Sequence, residues 1–361
     1  MGMKNLKKIT TDSLNVLVTA TGGGGVGNEI LRALKFSYNK YNITAIDSSP
    51  YSIGLFKTSS RYLAPKATSR KYIQFILQIC IEKKINVVIP GSEIETYILA
   101  KNKKLFEKNK ILLLINSLQV IKLCQDKFLL NKFLESKKIN CPHSFLYKNT
   151  NSLKQLINYP VIVKPRIGAG SRNVFLAHDK SETIFFANYI KKLGGEPLIQ
   201  EYVGDSESEY TIGIIYADGG NFITSIAMRR LLKNGLSVRH ITEDKKSGKK
   251  YVISTGISQG MFEEYEEICN EGIKIAKLLN SDGPINIQCR KTKNGIIPFE
   301  INPRFSGTTM LRSLAGLNEP DIFCQYKIFN KIPKKLKIKK GIILREFNEK
   351  FISFSSINSL K

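Results

Sequence analysis

From Asn15 to about residue 120, short apolar runs alternate with helical patterns, and few folds tolerate that alternation. Strands at Asn15–Ala20, Ile43–Ile46, Asn86–Ile89 and Ile111–Ile115 are interleaved with helices at Val26–Phe36, Lys71–Lys83 and Glu95–Lys108. Strands separated by helix-length segments cannot form hairpins, so the pattern predicts βα units and a parallel sheet. A helix at Lys127–Lys137 follows, and from about Tyr159 the character changes. Strand-like runs at Val161–Lys164, Val174–Ala177, Leu198–Tyr202, Tyr210–Tyr216 and Phe222–Arg229 surround one helix, Ser181–Leu193. A long helix, Phe262–Leu279, then precedes a hairpin, Ile285–Arg290 and Ile296–Ile301, turned by Lys293-Asn294-Gly295. The expected architecture is an α/β N-terminal domain followed by an α+β region of antiparallel sheets.

Bulk properties narrow the function. The six cysteines show no CxxC pair and the three histidines no paired spacing, which argues against a disulfide framework or a zinc centre and fits a cytoplasmic chain. No apolar run reaches the ~18 residues needed to span a bilayer, so no membrane partner is expected. Residues 1–13 read as a polar, disordered lead-in without a signal peptide's apolar core. The net charge of +26 invites a nucleic-acid reading. The lysines, however, are scattered among Ile and Asn with no aromatic–basic interleaving. A compositional habit of the source genome explains them, and no nucleic-acid partner is expected.

Thr21 to Gly27 reads TGGGGVG and contains G-x-G-x-x-G at Gly22, Gly24 and Gly27, between a strand and a helix. Asp47 closes the next strand, which is the context of a dinucleotide fingerprint. The alternative is a tight strand-to-helix passage that needs glycine for steric reasons. An NAD(P)-dependent oxidoreductase would rest on this loop alone, with no Tyr-x-x-x-Lys or histidine partner.

A second constellation is more complete. Val161-Ile162-Val163-Lys164-Pro165 is an apolar strand ending in a cation, followed by the small-residue loop Arg166–Asn173 with Gly168, Gly170 and Ser171. Such a loop closes over phosphates with N–H groups pointing inward. Gln200, Glu201, Tyr202 and Val203 end another strand, with Glu209 eight residues beyond Glu201. That strand edge offers backbone groups to a purine, and a carboxylate suits ribose hydroxyls. On the hairpin, Glu300 and Asn302 are two apart and share a face, with Gln288 roughly opposite. Three oxygen-bearing side chains on adjacent strands suit Mg²⁺. Arg304 adds a positive fork beside them. Bland readings stand next to each: an exposed strand-end lysine, a hairpin turn, a solvated acidic loop.

The ordered set Lys127, Lys164 with its glycine loop, Gln200-Glu201, Glu209, Gln288 and Glu300-Ile301-Asn302-Pro303-Arg304 resembles the ATP-grasp superfamily. Within it, residues 15–330 are most similar to one half of the carbamoyl-phosphate synthase large subunit. The resemblance implies a Rossmann-like pre-ATP-grasp domain at 14–120 and an ATP-grasp domain at 121–330. The latter would divide into a lid at about 126–203 and a catalytic subdomain at about 204–330, with a connector and strand at 331–361. It implies ATP binding by Lys127, Lys164, Gly168, Gly170, Ser171 and Gln200–Val203, with Glu209 on the ribose. It further implies two Mg²⁺ ions, replaceable by Mn²⁺, on Gln288, Glu300 and Asn302, with Lys164, Glu300 and Arg304 catalytic. The implied activity is an ADP-forming ligase joining a small carboxylate to an amine through an acyl phosphate, and a homodimer is allowed. Gly307 stands where the synthase motif has a second arginine, and the chain carries one such half rather than two, which disfavours bicarbonate phosphorylation. Glu93 is a candidate for the amine side, and Arg229, Arg230, Arg239 and Arg312 for an anionic substrate. A nucleotide-binding scaffold without catalysis is the remaining alternative.

Overall fold

The computed structural model describes residues 14–168, 170, 172–232, 235–243, 248–331, 337–346 and 348–360. The lead-in 1–13, Ser171, residues 332–336 of the basic connector and Phe347 lie outside the described residues. In chain order the elements begin with β1 (Asn15–Val18), α1 (Val26–Phe36), β2 (Asn42–Asp47), β3 (Ser60–Leu63), α2 (Tyr72–Glu82), β4 (Val87–Ile89), α3 (Glu93–Lys101), α4 (Lys103–Lys108) and β5 (Leu112–Leu113). Next come α5 (Leu118–Gln125), α6 (Lys127–Ser136), β6 (Ser144–Leu146), β7 (Val161–Pro165), β8 (Phe175–Ala177), α7 (Lys180–Lys192) and β9 (Pro197–Glu201). They are followed by β10 (Glu209–Ala217), β11 (Asn221–Arg230), β12 (Val238–Glu243), β13 (Lys250–Ser254), β14 (Gly260–Phe262), α8 (Glu266–Leu278), β15 (Pro284–Thr292) and β16 (Gly295–Asn302). The last elements are α9 (Thr309–Leu314), α10 (Glu319–Phe329), β17 (Gly341–Ile343) and α11 (Phe354–Asn358). Among the described residues no helix is long and apolar enough to cross a membrane.

Two compact units emerge, each drawn from separate stretches of chain. The first comprises residues 1–118, 304–337 and 346–361; the second comprises 119–303 and 338–345. In the first unit, the described strands form a parallel sheet in the order β3-β2-β1-β4-β5. Its central strands are fully buried (Val16, Leu17 and Val18 on β1; Val87, Val88 and Ile89 on β4), as a sheet covered on both faces requires. The helices α9 and α10 pack on α1, and Asn318 Nδ2 donates to the Ala33 carbonyl oxygen at 2.7 Å.

Glycines set the closest approaches in this unit. A Cβ on Gly27 would lie 2.2 Å from the Thr19 carbonyl oxygen, and one on Gly91 would lie 2.5 Å from Gly27 Cα. A Cβ on Gly54 would meet Thr21 Cβ at 2.3 Å. The start of α1 therefore presses against the ends of β1 and β4, which only hydrogen side chains permit. Asp47 closes its own turn, accepting from Ser49 N at 2.9 Å. Steric need accounts for Gly27 and a left-handed backbone (φ +71°) for Gly24, whereas Gly22 has ordinary room for a Cβ.

In the second unit, the described strands form an antiparallel sheet ordered β16-β15-β10-β11-β14-β17, a second ordered β6-β9-β7-β8, and the pair β12-β13. α8 lays Ile268, Ile275 and Ala276 on β10 and β15, building a core with Ile212, Ile214, Ile285 and Ile287. α7 covers the smaller sheet through Ala187 and Ile190.

Three expected elements differ. The helix expected at Glu95–Lys108 breaks at Asn102, whose side-chain amide bonds back to the Ile98 carbonyl oxygen at 2.8 Å and competes with the helical ladder. The helix expected from Phe262 begins at Glu266, because Gly260–Phe262 pairs with β11 as a strand. The last strand, read from the sequence as Gly341–Phe347, covers Gly341–Ile343 and pairs with β14.

Candidate active site

Lys164 ends β7 with its side chain nearly enclosed, at 6% exposure, and its Nζ donates to Gln200 Oε1 on the neighbouring β9 at 2.8 Å. Burial pulls its pKa down to about 7; the nearby Lys127 charge pulls the same way and the Glu300 carboxylate opposes both. Two cations and a carboxylate from three elements therefore converge. Lys127 opens α6 behind the cap residue Asp126, which accepts from Leu129 N at 3.0 Å, and Lys127 Nζ donates to the Gly168 carbonyl oxygen at 2.6 Å. The root of the glycine loop is clamped: Arg166 forks onto Asp126 (Nε–Oδ1 2.9 Å, Nη2–Oδ2 2.7 Å) and reaches Glu196 Oε2 at 2.9 Å. Gly170, at φ +65°, takes a backbone shape that favours glycine, with open space about it. A clamped root and open space at Gly170 suit a segment that closes over a ligand.

At the end of β9, Glu201 is exposed, while Tyr202 just beyond it lies under the Arg290 guanidinium, 4.4 Å from the ring centre. The Val203 carbonyl oxygen accepts from Arg290 Nη1 at 3.0 Å. A cavity of about 430 Å³ is lined by Glu201, Tyr202, Val203, Thr292, Asn294 and Ile297.

The hairpin register sets Gln288 opposite Glu300 and Asn286 opposite Asn302. Asn302 Nδ2 donates to Glu300 Oε1 at 3.1 Å, so these side chains share one face. Glu300 makes no ion pair with a lysine or arginine among the described residues, leaving carboxylate oxygens available for a cation. The oxygens of Glu300 and Asn302 fit Mg²⁺, which takes hard ligands and keeps waters and phosphate oxygens for the rest.

Glu209 lies on the same face of the sheet as Gln288, to which Arg230 Nη1 links it. It is fully buried, with Oε1 accepting from Arg230 (2.5 Å) and Ser254 (2.8 Å), and Oε2 from Arg290 (2.8 and 3.1 Å). Burial alone would raise its carboxyl, but the two guanidiniums outweigh that and hold it below the usual carboxylate range. No surface of it is open to a ribose hydroxyl, in contrast to the sequence expectation.

In the first unit, Glu93 opens α3 and pairs with Arg304, 211 residues away (Nη2–Oε1 2.7 Å), while Arg304 Nη1 holds the Phe305 carbonyl oxygen at 2.8 Å. Arg304 Nε is buried without a protein partner among the described residues. Arg312 is 0% exposed and bonds Glu319 Oε2 at 3.1 Å, which makes it part of the core rather than an open substrate arginine. Arg229 Nε is taken by the Glu207 carbonyl oxygen at 3.0 Å, and Arg239 is exposed on β12. Sequence reasoning missed Asp126, Arg166 and Arg290. Arg290 had a signal, since it sits two positions from Gln288 on the same strand.

The described geometry is paralleled by known proteins. An ATP-grasp domain model matches residues 124–308, and a PylC-like N-terminal domain model matches residues 16–114. The chain belongs to the ATP-grasp family. It is 25% identical over 222 residues to the carbamoyl phosphate synthase large chain of Caldanaerobacter subterraneus subsp. tengcongensis, covering 58% of this chain and 19% of that one. A Thermoanaerobacter carbamoyl phosphate synthase large chain is 24% identical over 243 residues, covering 65% and 21%. The chain thus spans about a fifth of the length of these relatives. In fold it is similar to N5-carboxyaminoimidazole synthetase from Staphylococcus aureus complexed with ADP (TM-score 0.67, 14% identity, covering 92% of this chain and 82% of that one). It is also similar to an L-amino acid ligase from Bacillus licheniformis (TM-score 0.63, 14% identity, covering 88% and 74%). ATP-grasp enzymes use ATP with Mg²⁺.

Proposed function

We propose that this ATP-grasp protein is an ADP-forming ligase that joins an organic carboxylate to an amine. The observation that carries the reading is the convergence of Lys164 and Lys127 with the Glu300–Asn302 oxygen pair. Two cations suit the phosphates, and an oxygen pair suits the ion that accompanies them. The cavity beside Tyr202 and Val203 takes the adenine.

A substrate carboxylate oxygen attacks the γ-phosphorus, the bond to the bridging oxygen breaks, and ADP leaves. Lys164 and Lys127 bind the phosphate oxygens throughout and meet the charge shifting toward ADP. Glu300 and Asn302 would hold Mg²⁺, which would supply further charge neutralisation when bound. Closure of the loop 166–173 keeps water from the acyl phosphate. The amine then adds to the acyl carbon, phosphate departs and one proton is released. Arg304, two residues beyond Asn302 in the chain, stabilises the acyl phosphate, and Glu93 holds Arg304. The protein is read as cytoplasmic and as a homodimer acting on small molecules, the assembly by analogy with the biotin carboxylase domain dimer of Hydrogenobacter thermophilus, to which it is similar in fold. A second reading, in which bicarbonate is the carboxylate, draws on the carbamoyl phosphate synthase relatives.

Carboxylate–amine pairs screened with ATP should yield ADP and phosphate. Glu300→Ala should lower turnover at least about a thousandfold, since the ion it holds contributes several kcal/mol. AMP with pyrophosphate, or an unimpaired variant, defeats the proposal.

A further inference from the structure

The resemblance implies two ions held by Gln288, Glu300 and Asn302, yet Gln288 differs from the other two in what it touches. Arg230 is 2% exposed, and its Nη1 donates to Glu209 Oε1 (2.5 Å), Ser254 Oγ (2.8 Å) and Gln288 Oε1 (3.2 Å), while Nη2 donates to the Thr255 carbonyl oxygen. A guanidinium carries only donors, so it decides which way round the Gln288 amide lies: the oxygen must face Arg230. The amide NH₂ is left to face the other way, with no protein acceptor among the described residues. Gln288 is half-buried, so that NH₂ remains within reach of a ligand.

An NH₂ group ligates no cation. The remaining lone pair of Oε1 would bring Mg²⁺ beside a buried guanidinium, where little water screens the repulsion. Glu300 and Asn302 stand otherwise: their mutual bond of 3.1 Å uses one carboxylate oxygen, and no guanidinium or ammonium hydrogen-bonds either. The Glu209 carboxylate does not cancel the Arg230 charge for a newcomer, because Glu209 is already shared with Arg290.

We propose that this chain holds a single divalent ion, at Glu300 and Asn302, and that Gln288, oriented by Arg230, donates to a phosphate oxygen instead of ligating a second ion. Arg230 is then a positioning residue whose fixed charge stands on the side where a second ion would sit. The inference rests on the ATP-site reading above.

Equilibrium dialysis of the full chain with Mn²⁺ and an ATP analogue bridged by nitrogen between the β and γ phosphates tests it, counting retained metal and nucleotide together. One Mn²⁺ per nucleotide is expected. Gln288→Met should keep that ratio and weaken nucleotide binding about tenfold or more, the effect of losing a hydrogen bond to a charged group. Two Mn²⁺ per nucleotide, falling to one in Gln288→Met, overturns the inference, as does unchanged nucleotide affinity in that variant. Arg230→Met, shown to be folded by its thermal transition, should raise the ratio to two; a ratio still at one overturns the positioning role. If Arg230→Met does not fold, Gln288→Met decides alone. A chain that retains no Mn²⁺ with nucleotide defeats the ATP-site reading itself, whereas a ratio of two leaves that reading standing.

Discussion

Burial holds the Lys164 ammonium down to about 7, far below an exposed lysine, and Lys127 adds to the effect against Glu300. Because the folded value lies below the unfolded one, the unfolded chain binds more protons between about pH 7 and 10.5. This group therefore makes stability rise with pH across that window, and its charging penalty is fully present below it. Phosphate reverses the balance by favouring the ammonium. Nucleotide binding at pH 8 should take up close to one proton, and at pH 6 almost none, as calorimetry in buffers of different ionisation enthalpy will read. Lys164→Arg should abolish the uptake; uptake that persists there places the proton elsewhere. Arg312 calls for a different measurement. Arg312→Ala leaves Glu319 buried and uncompensated, so it should lower unfolding stability by about 3–5 kcal/mol in a urea titration. A stable variant with weakened substrate affinity would instead return Arg312 to the substrate site.

At the scale of elements, the glycine cluster separates packing from ligand binding. Gly27→Ala forces a Cβ to 2.2 Å from the Thr19 carbonyl oxygen, whereas a Cβ on Gly22 finds its nearest neighbour, Ser52 Oγ, at 3.5 Å. Gly27→Ala should destabilise by about 1–3 kcal/mol or more. Gly22→Ala should stay within about 0.5 kcal/mol. Equal losses in urea unfolding would refute the packing account. α1 was legible because its apolar period is clean and glycines precede it; its observed span, Val26–Phe36, is the span read from the sequence. The hairpin was legible through Asn294-Gly295 and the alternation beside it. β14 was not, since a three-residue run beside a helix signal has no period of its own and exists only through pairing with β11 and β17. Asp126 was equally silent, being one acid before a helix until Arg166 arrives from 40 residues away.

Across the whole molecule, a ligand that binds only the folded chain raises its stability by mass action. Mg²⁺–ADP at 100 times its dissociation constant should add about 2.7 kcal/mol and lift the thermal midpoint. NADPH should leave the midpoint unmoved, and Glu300→Ala should blunt the ADP effect. A rise with NADPH alone would make the N-terminal glycines the cofactor site after all. Apolar period was enough to read a parallel α/β domain and antiparallel sheets after it, because those features depend on neighbours a few residues apart, while the ordered residues from Lys127 to Arg304 carried the resemblance to the ATP-grasp family. Folding decided what distance in the chain conceals. Residues 304–337 join the first unit, where α9 and α10 cover α1. Glu209 disappears between two arginines, Glu93 meets Arg304, and Arg230 turns the amide of Gln288. Each of those outcomes turns on which charges share a buried space, and a charge's partner is chosen by packing, not by its place in the chain.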